Sequence, residues 1–291
     1  MITYISDDDV LRHLNIKECI GELKTAFESY GAGESNSSAR DRIFLPGHVL
    51  NTMPAYYSKR NLAGLKTYIA GKNGIRFIVL IFNVNNPEDV FVFDANMLGR
   101  IRTGALTAMV TSLIVKKNGI NFTLIGSGFQ AETQYQAMAS IYNIKRGYVY
   151  SKNFDHARAF AERFGLEPVN DLKCLRDSDV ITSITNSDTP IFNYDMLPEH
   201  FHVNLAGSNM PGRREADHSV INNADIIIVE HMEQALRESS EIIESKNKNM
   251  VELKDFIKNN GSYNRTVFKS MGIGLEDLAA GYLVLKDMKL L

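Results

Sequence analysis

The sequence predicts an α/β protein: a doubly wound parallel sheet joined to a second, α+β domain made from both chain ends. Three observations carry that reading. From about Phe122, short strand-like runs alternate with helical patterns, the rhythm of a parallel sheet with crossover helices. From Arg42 to Asp94 the runs RIFL, VLNTMPAY, GLKTYIA, IRFIVLIF and VFVFD are β-rich, which points to an antiparallel sheet beside helices. From about Gly261 the alternation stops in a Gly-rich turn, MGIGLEDLAAGYL, followed by a helix expected to return to the first domain. A chain of 291 residues suits one or two domains. The expected division is 1–105 completed by 262–291, and 106–261.

The elements follow from local chemistry. After a strand-like TYI, Ser6 is an N-cap, and Asp7, Asp8 and Asp9 suit the positive end of a helix. Ile16, Ile20, Leu23, Phe27 and Tyr30 share the face of a second helix that stops at Gly31-Ala32-Gly33. Asn85-Asn86-Pro87-Glu88 is a turn signal between two strands. In the second half the strands are FTLIG, GYVYS, EPV, DVITSI, HVNLAG and DIIIVE. Ala131, Tyr135, Met138 and Tyr142 line one helix. Asp155 is the expected cap of the next, whose Ala157, Phe160, Ala161 and Phe164 face inward before Gly165 ends it.

The stretch TLIGSGFQAE, residues 123–132, follows an apolar strand and opens a helix at Gln130. In that context Gly126 permits a tight turn and Gly128 lets the backbone approach a pyrophosphate. Ala131 is small enough for helix–strand packing, and the helix N-terminus faces the phosphates. The plain alternative is an ordinary strand–helix turn. The context favours a Rossmann-type dinucleotide site. The end of the second strand reads Val149-Tyr150-Ser151-Lys152-Asn153, with no acid before Asp155 to meet the ribose 2′-hydroxyl of NAD. Ser151 and Lys152 suit a 2′-phosphate, so NADP(H) is slightly preferred over NAD(H). A solvated Lys152 is the competing reading.

Three cations sit in unusual places. Arg40 precedes a strand, Lys66 lies within GLKTYIAG, and Arg102 opens a small-residue helix in GRIRTGALTA. Burying a cation is costly unless an anion or acceptor meets it. Together they suit a substrate carboxylate, with an arginine offering a bidentate fork. Taken singly, each reads as a salt bridge.

The stretches NTMPAYY with GLKTY, RIRTGALTA, IGSGFQAETQ, AGSNMPGRREAD and TVFKSMGIGLEDLAA, in this order and spacing, resemble the ornithine cyclodeaminase/μ-crystallin family over most of the chain. The resemblance implies a Rossmann domain with a substrate and dimerisation domain, a homodimer, and a substrate carboxylate held by Arg40, Lys66 and Arg102. Arg42 rivals Arg40, because ARDRIF offers both. It implies cyclising deamination of ornithine to proline, alanine dehydrogenation or reduction of cyclic imino acids. It also places the Lys269–Gly272 loop, followed by Glu276 and Asp277, by the nicotinamide. Read without it, those two acids suit a helix N-terminus. The expected cofactor-binding set is Thr103, Gly126, Ser127, Gly128, Phe129, Gln130, Ser151, Lys152, Asn209, Lys269 and Ser270. Lys66 and Asn209 are the expected catalytic pair.

One departure bears on activity. Where the cyclodeaminases carry an acid/base aspartate, this chain has Asn209. An amide takes up no proton near neutral pH, and losing a positioned general base costs roughly 10²–10⁴ in rate. Asn209 could still bond a substrate nitrogen or the nicotinamide amide, and Asp217 or His48 could supply a proton. Each of those two also reads as a helix-cap or surface residue. The departure favours an imino-acid reductase or amino-acid dehydrogenase over an ornithine cyclodeaminase. A non-catalytic NADPH-binding protein of the μ-crystallin type is the reading from another class.

Other classes are excluded or thin. A net charge of −2 creates no field for nucleic acid or anionic membrane. Cys19 and Cys174 form no metal or redox spacing, and with the acidic start MITYISDDD they point to the cytoplasm. The longest apolar runs, such as Phe77 to Phe82, are too short to span a bilayer. His200 and His202 could share a strand face, but without a third ligand they predict no metal site.

Overall fold

A computed structural model describes residues 1–259 and 261–291. The chain divides into two compact units, Met1–Leu106 with Gly272–Leu291, and Thr107–Met271.

The first unit begins with β1 (Ile2–Ile5), α1 (Asp7–His13) and α2 (Ile16–Gly31), then runs through β2 (Asn36–Ser37), β3 (Asp41–Leu45), β4 (His48–Tyr57), β5 (Leu62–Gly71), β6 (Gly74–Asn83) and β7 (Val90–Asp94). The helix α3 (Asn96–Ile114) contains the division between the units. Ser6 caps α1 in a capping box, accepting from the Asp9 N–H while the Asp9 carboxylate accepts from its own. The strand order is β1-β7-β6-β5-β4-β2, with β3 also on β4. Pairing is antiparallel except at the edge, where β1 runs parallel to β7. The antiparallel sheet expected over Arg42–Asp94 is present, and β1 extends it as a parallel edge strand. A strand so far along the chain from its partner is free of the hairpin constraint that forces antiparallel neighbours.

The second unit contains β8 (Gly119–Ile125), α4 (Ala131–Ile141), β9 (Asn143–Tyr150), α5 (Phe154–Phe164), β10 (Glu167–Val169), β11 (Val180–Ser183) and β12 (Phe201–Leu205). It continues with α6 (His218–Asn222), β13 (Ile226–Val229), α7 (Met232–Glu238), α8 (Ser240–Ile243), β14 (Met250–Glu252), α9 (Leu253–Phe256) and β15 (Arg265–Lys269). The chain then re-enters the first unit as α10 (Gly274–Asp287). The strand order is β10-β9-β8-β11-β12-β15-β13-β14, parallel throughout. The chain winds outward from β8 to β10, then returns to lay β11 on the other side of β8. That reversal is the topological switch point at which such sheets bind ligands.

Two expectations need correction. The stretch after Gly261 does not leave the parallel sheet at once: β15 sits inside it, bonded to β12 and β13. Its apolar core, Thr266-Val267-Phe268, is short and merges in sequence with the Gly-rich turn, which hid it. The cap of α5 is Asn153, not Asp155: the Asn153 side chain accepts from the Asp155 N–H at 2.9 Å. Asp155 lies in the first turn and pairs with Arg158.

Candidate active site

In the first unit, the three expected cations lie on the helix-covered side of the sheet. Met53, Lys66 and Val79 are direct partners across β4, β5 and β6, and all are buried. Arg40, also buried, donates from Nε to the Met53 sulfur at 3.5 Å. Arg42 is half-buried and donates from Nε to the Asn51 amide oxygen at 3.1 Å. The helix α10 packs on β4 and β5 and brings two acids to this face. Asp277 Oδ1 accepts from Lys66 Nζ at 3.1 Å and from Arg102 Nε at 3.3 Å. Glu276 accepts from Arg102 Nη1 through one oxygen and from the Ile273 N–H, at the start of α10, through the other. Burial pushes the Lys66 amine down to about 8, opposed by the charge of Asp277 and aided by that of Arg102. Among the described residues, Asp277 Oδ2 is buried without a hydrogen-bond partner. Thr103, on α3, is buried and donates to the Gly99 carbonyl at 2.7 Å.

Without the family resemblance, Glu276 and Asp277 read as dipole-favoured acids. Their place in an otherwise apolar run, GLEDLAAGYL, was the available signal: acids buried on a helix need cations to meet them.

In the second unit, the glycine stretch sits at the switch point. Gly126 has φ 111°, and a Cβ there would lie 2.6 Å from the Ile184 carbonyl oxygen, so the turn between β8 and α4 admits only glycine. Gly128 differs: a Cβ there would meet no protein atom within 4 Å. The protein itself leaves that side open, which fits a cradle whose backbone a phosphate approaches. Ser127 is half-buried, and Gly128, Phe129 and Gln130 are exposed. Gln130, the N-cap of α4, makes no side-chain cap bond, so the dipole end of an 11-residue helix is presented at this edge. The Gly126 N–H donates to the Tyr150 carbonyl at 2.8 Å, and this brings Ser151 and Lys152 next to the turn. Ser151 is half-buried and Lys152 exposed.

The loops after β12 and β15 meet at Asn209. With its amide oriented to satisfy its neighbours, Asn209 donates to the carbonyls of Ser208 and Ser270, both at 3.0 Å. Lys269 is fully buried; its Nζ donates to the Ser208 carbonyl at 2.6 Å and lies 3.5 Å from Glu241. Ser270 Oγ donates to Glu230 at 2.9 Å, and the Met271 N–H is bonded to the same carboxylate. Sequence reasoning missed the buried acids Glu215, Glu230 and Glu241. Glu215 and Glu230 lie in loops and Glu241 in the single turn of α8, where no periodicity marks a residue as buried.

The rival proton sources have local partners. Asp217 caps α6, and hydrogen bonds from Ser219 hold its carboxyl below the usual range. His48 shares a hydrogen bond between Nδ1 and the Pro46 carbonyl. His202 is buried between Thr266 and Asn204, and burial pushes it down to about 4, so it is a neutral part of the sheet's polar layer.

The profile of the ornithine cyclodeaminase/mu-crystallin family matches residues 3–289. The chain belongs to this family. It is 27% identical over 315 aligned positions to a Delta(1)-pyrroline-2-carboxylate reductase of Bacillus cereus, covering 98% of this chain and 96% of the relative. An archaeal alanine dehydrogenase, solved as a dimer with bound NAD, has the same fold at TM-score 0.89 and 22% identity, over 99% of this chain and 96% of the other. So does a Thermococcus litoralis Delta(1)-pyrroline-2-carboxylate reductase in complex with NADH and L-proline, at TM-score 0.88 and 21% identity, covering 99% and 97%.

Proposed function

We propose that this chain is an NAD(P)-dependent oxidoreductase that reduces a small 2-imino acid or oxidises the matching 2-amino acid, as an imino-acid reductase or in the manner of an alanine dehydrogenase. It acts as a homodimer. The observation that carries the reading is the convergence of Lys66 and Arg102 on one buried carboxylate, Asp277. Two long side chains are held in place before any ligand arrives, which lowers the cost of ordering them around a substrate carboxylate. Arg40 completes the clamp. Its bond to Met53, the ladder partner of Lys66, favours it over Arg42.

Gly126, Ser127, Gly128, Phe129 and Gln130 would hold the pyrophosphate side of a dinucleotide, with Ser151 and Lys152 at the ribose. When bound, the dinucleotide supplies or accepts the hydride. The chain's own work is orientation and charge. Arg40, Lys66 and Arg102 fix the substrate carboxylate, and Lys66 can hold or release a proton near its lowered pKa. Asn209 is a neutral hydrogen-bonding group at the loops after β12 and β15. An amide suits reduction of an imine that arrives protonated better than repeated proton transfer at two amines.

The test is a substrate panel with NADH and NADPH: a cyclic 2-imino acid such as pyrroline-2-carboxylate, pyruvate with ammonia, and ornithine. The expected outcome is cofactor oxidation with an imino acid and little conversion of ornithine. Efficient ornithine deamination would overturn the reading of Asn209. Tight cofactor binding without turnover of any imino acid would favour a binding protein instead.

A further inference from the structure

Glu215 lies in the segment between β12 and α6, is fully buried, and gathers donors from two loops at the ligand-binding edge of the parallel sheet. One carboxylate oxygen accepts from Ser183 Oγ at 2.7 Å, the Thr185 N–H at 2.7 Å and Thr185 Oγ1 at 3.1 Å. The other accepts from the N–H groups of Gly207 at 2.7 Å and Ser208 at 3.2 Å. A ring of contacts closes behind it. The Glu215 N–H donates to Glu241 at 2.9 Å, Glu241 pairs with Lys269, and Lys269 donates to the Ser208 carbonyl. That carbonyl also receives the Asn209 amide.

The loops so tied form the wall of the glycine turn. The Ile184 N–H bonds the Ile125 carbonyl, and the Ile184 carbonyl is the atom that excludes a Cβ at Gly126. Thr185 is the next residue. Gly207 is pressed so close to it that a Cβ would lie 1.9 Å from the Thr185 carbonyl oxygen. A carboxylate suits this place because it accepts at both ends. A glutamine of the same shape must turn an NH₂ group towards either Thr185 or Gly207 and Ser208, setting donor against donor whichever way it is flipped.

We propose that Glu215 is a positioning residue of the dinucleotide site: its buried carboxylate fixes the loops after β11 and β12 against the glycine turn and, through Ser208, sets the place of Asn209. This rests on the dinucleotide reading above. The glutamate touches neither cofactor nor substrate; it preorganises the backbone that does.

The test compares the full-length wild-type chain with Glu215→Gln. NADH and NADPH binding are followed by the dinucleotide's own fluorescence, and KM and kcat with an imino acid are measured at saturating cofactor. The expected result is a cofactor Kd raised about tenfold or more, as for loss of a buried charged acceptor, and a lowered kcat from the displaced Asn209, with KM for the imino acid within about twofold. A folded Glu215→Gln with wild-type cofactor Kd overturns the inference and leaves the dinucleotide reading standing. Wild-type protein that binds neither dinucleotide overturns both. Amide hydrogen exchange on the wild type tests the same idea if the variant does not fold. The Thr185, Gly207 and Ser208 amides should exchange slowly before any cofactor is added. Fast exchange that slows only on NADH or NADPH binding would mean that the cofactor, not Glu215, orders these loops.

Discussion

Lys66 is a buried amine whose proton is held less tightly than usual, and this makes its charge a function of pH near neutrality. In the unfolded chain the amine titrates at 10.5, and in the fold at about 8. Below pH 8 the fold must keep a charged amine out of water, so Lys66 opposes stability there by about 3 kcal/mol. That penalty is relieved as pH rises from about 8 towards 10.5. Binding runs the other way, because a substrate carboxylate needs the charged form. The KM for an imino acid should therefore climb above pH 8, and Lys66→Arg, which stays charged, should remove that basic limb at some loss of kcat. A limb unmoved in Lys66→Arg would show that another group titrates. At the cofactor, Lys152→Glu should weaken NADPH binding by tenfold or more over NADH, as expected where one cation meets a 2′-phosphate. Equal losses with both dinucleotides would remove the case for NADP(H). Lys66 and Arg102 were visible in the sequence as cations beside apolar runs. Their counter-charges were less so: Asp277 reads as a helix-start acid until the structure sets it against Lys66 and Arg102.

Elements were legible where a single period decides them. The faces of α2 and α5 follow from spacing: Leu23, Phe27, Tyr30, Ala157, Phe160 and Ala161 are buried, and Ile16, Ile20 and Phe164 are half-buried. Strand membership was not legible for β15, whose sheet neighbours β12 and β13 are set by a chain path that no local pattern records. Nor was the cap of α5, where Asn153 and Asp155 are both good capping residues and only geometry chooses. Asn153 directly follows the Ser151-Lys152 turn, so its bond to the Asp155 N–H also anchors one end of the expected ribose site. Asn153→Ala should cost about 1 kcal/mol, or about 2–4 °C in melting temperature for a domain of this size. Thermal unfolding followed by circular dichroism checks it. No change would mean that Asp155 or solvent takes over the cap.

At the scale of the whole molecule, α10 covers one side of the first unit's sheet. The row Met53–Lys66–Val79 faces α10 and is buried, so residues an odd number of positions along each strand face the other way. There Ile43, Leu50 and Ile69 are partners in one row, and Ile78 lies opposite Thr67 in the next. Ile43, Ile69 and Ile78 are 54%, 41% and 38% exposed, with Arg76 opposite Ile69 and Asp41 in the row of Thr52, Thr67 and Ile78. Exposed apolar side chains with charges of both signs beside them suit a second copy of the same sheet, because a two-fold contact needs one patch that matches itself. Ile69→Lys sets a second cation directly opposite Arg76 on that face without touching the buried row. It should convert a dimer to a monomer in sedimentation velocity while leaving the circular dichroism spectrum unchanged. A variant that stays dimeric would move the interface elsewhere, and a monomeric wild type would end the homodimer reading.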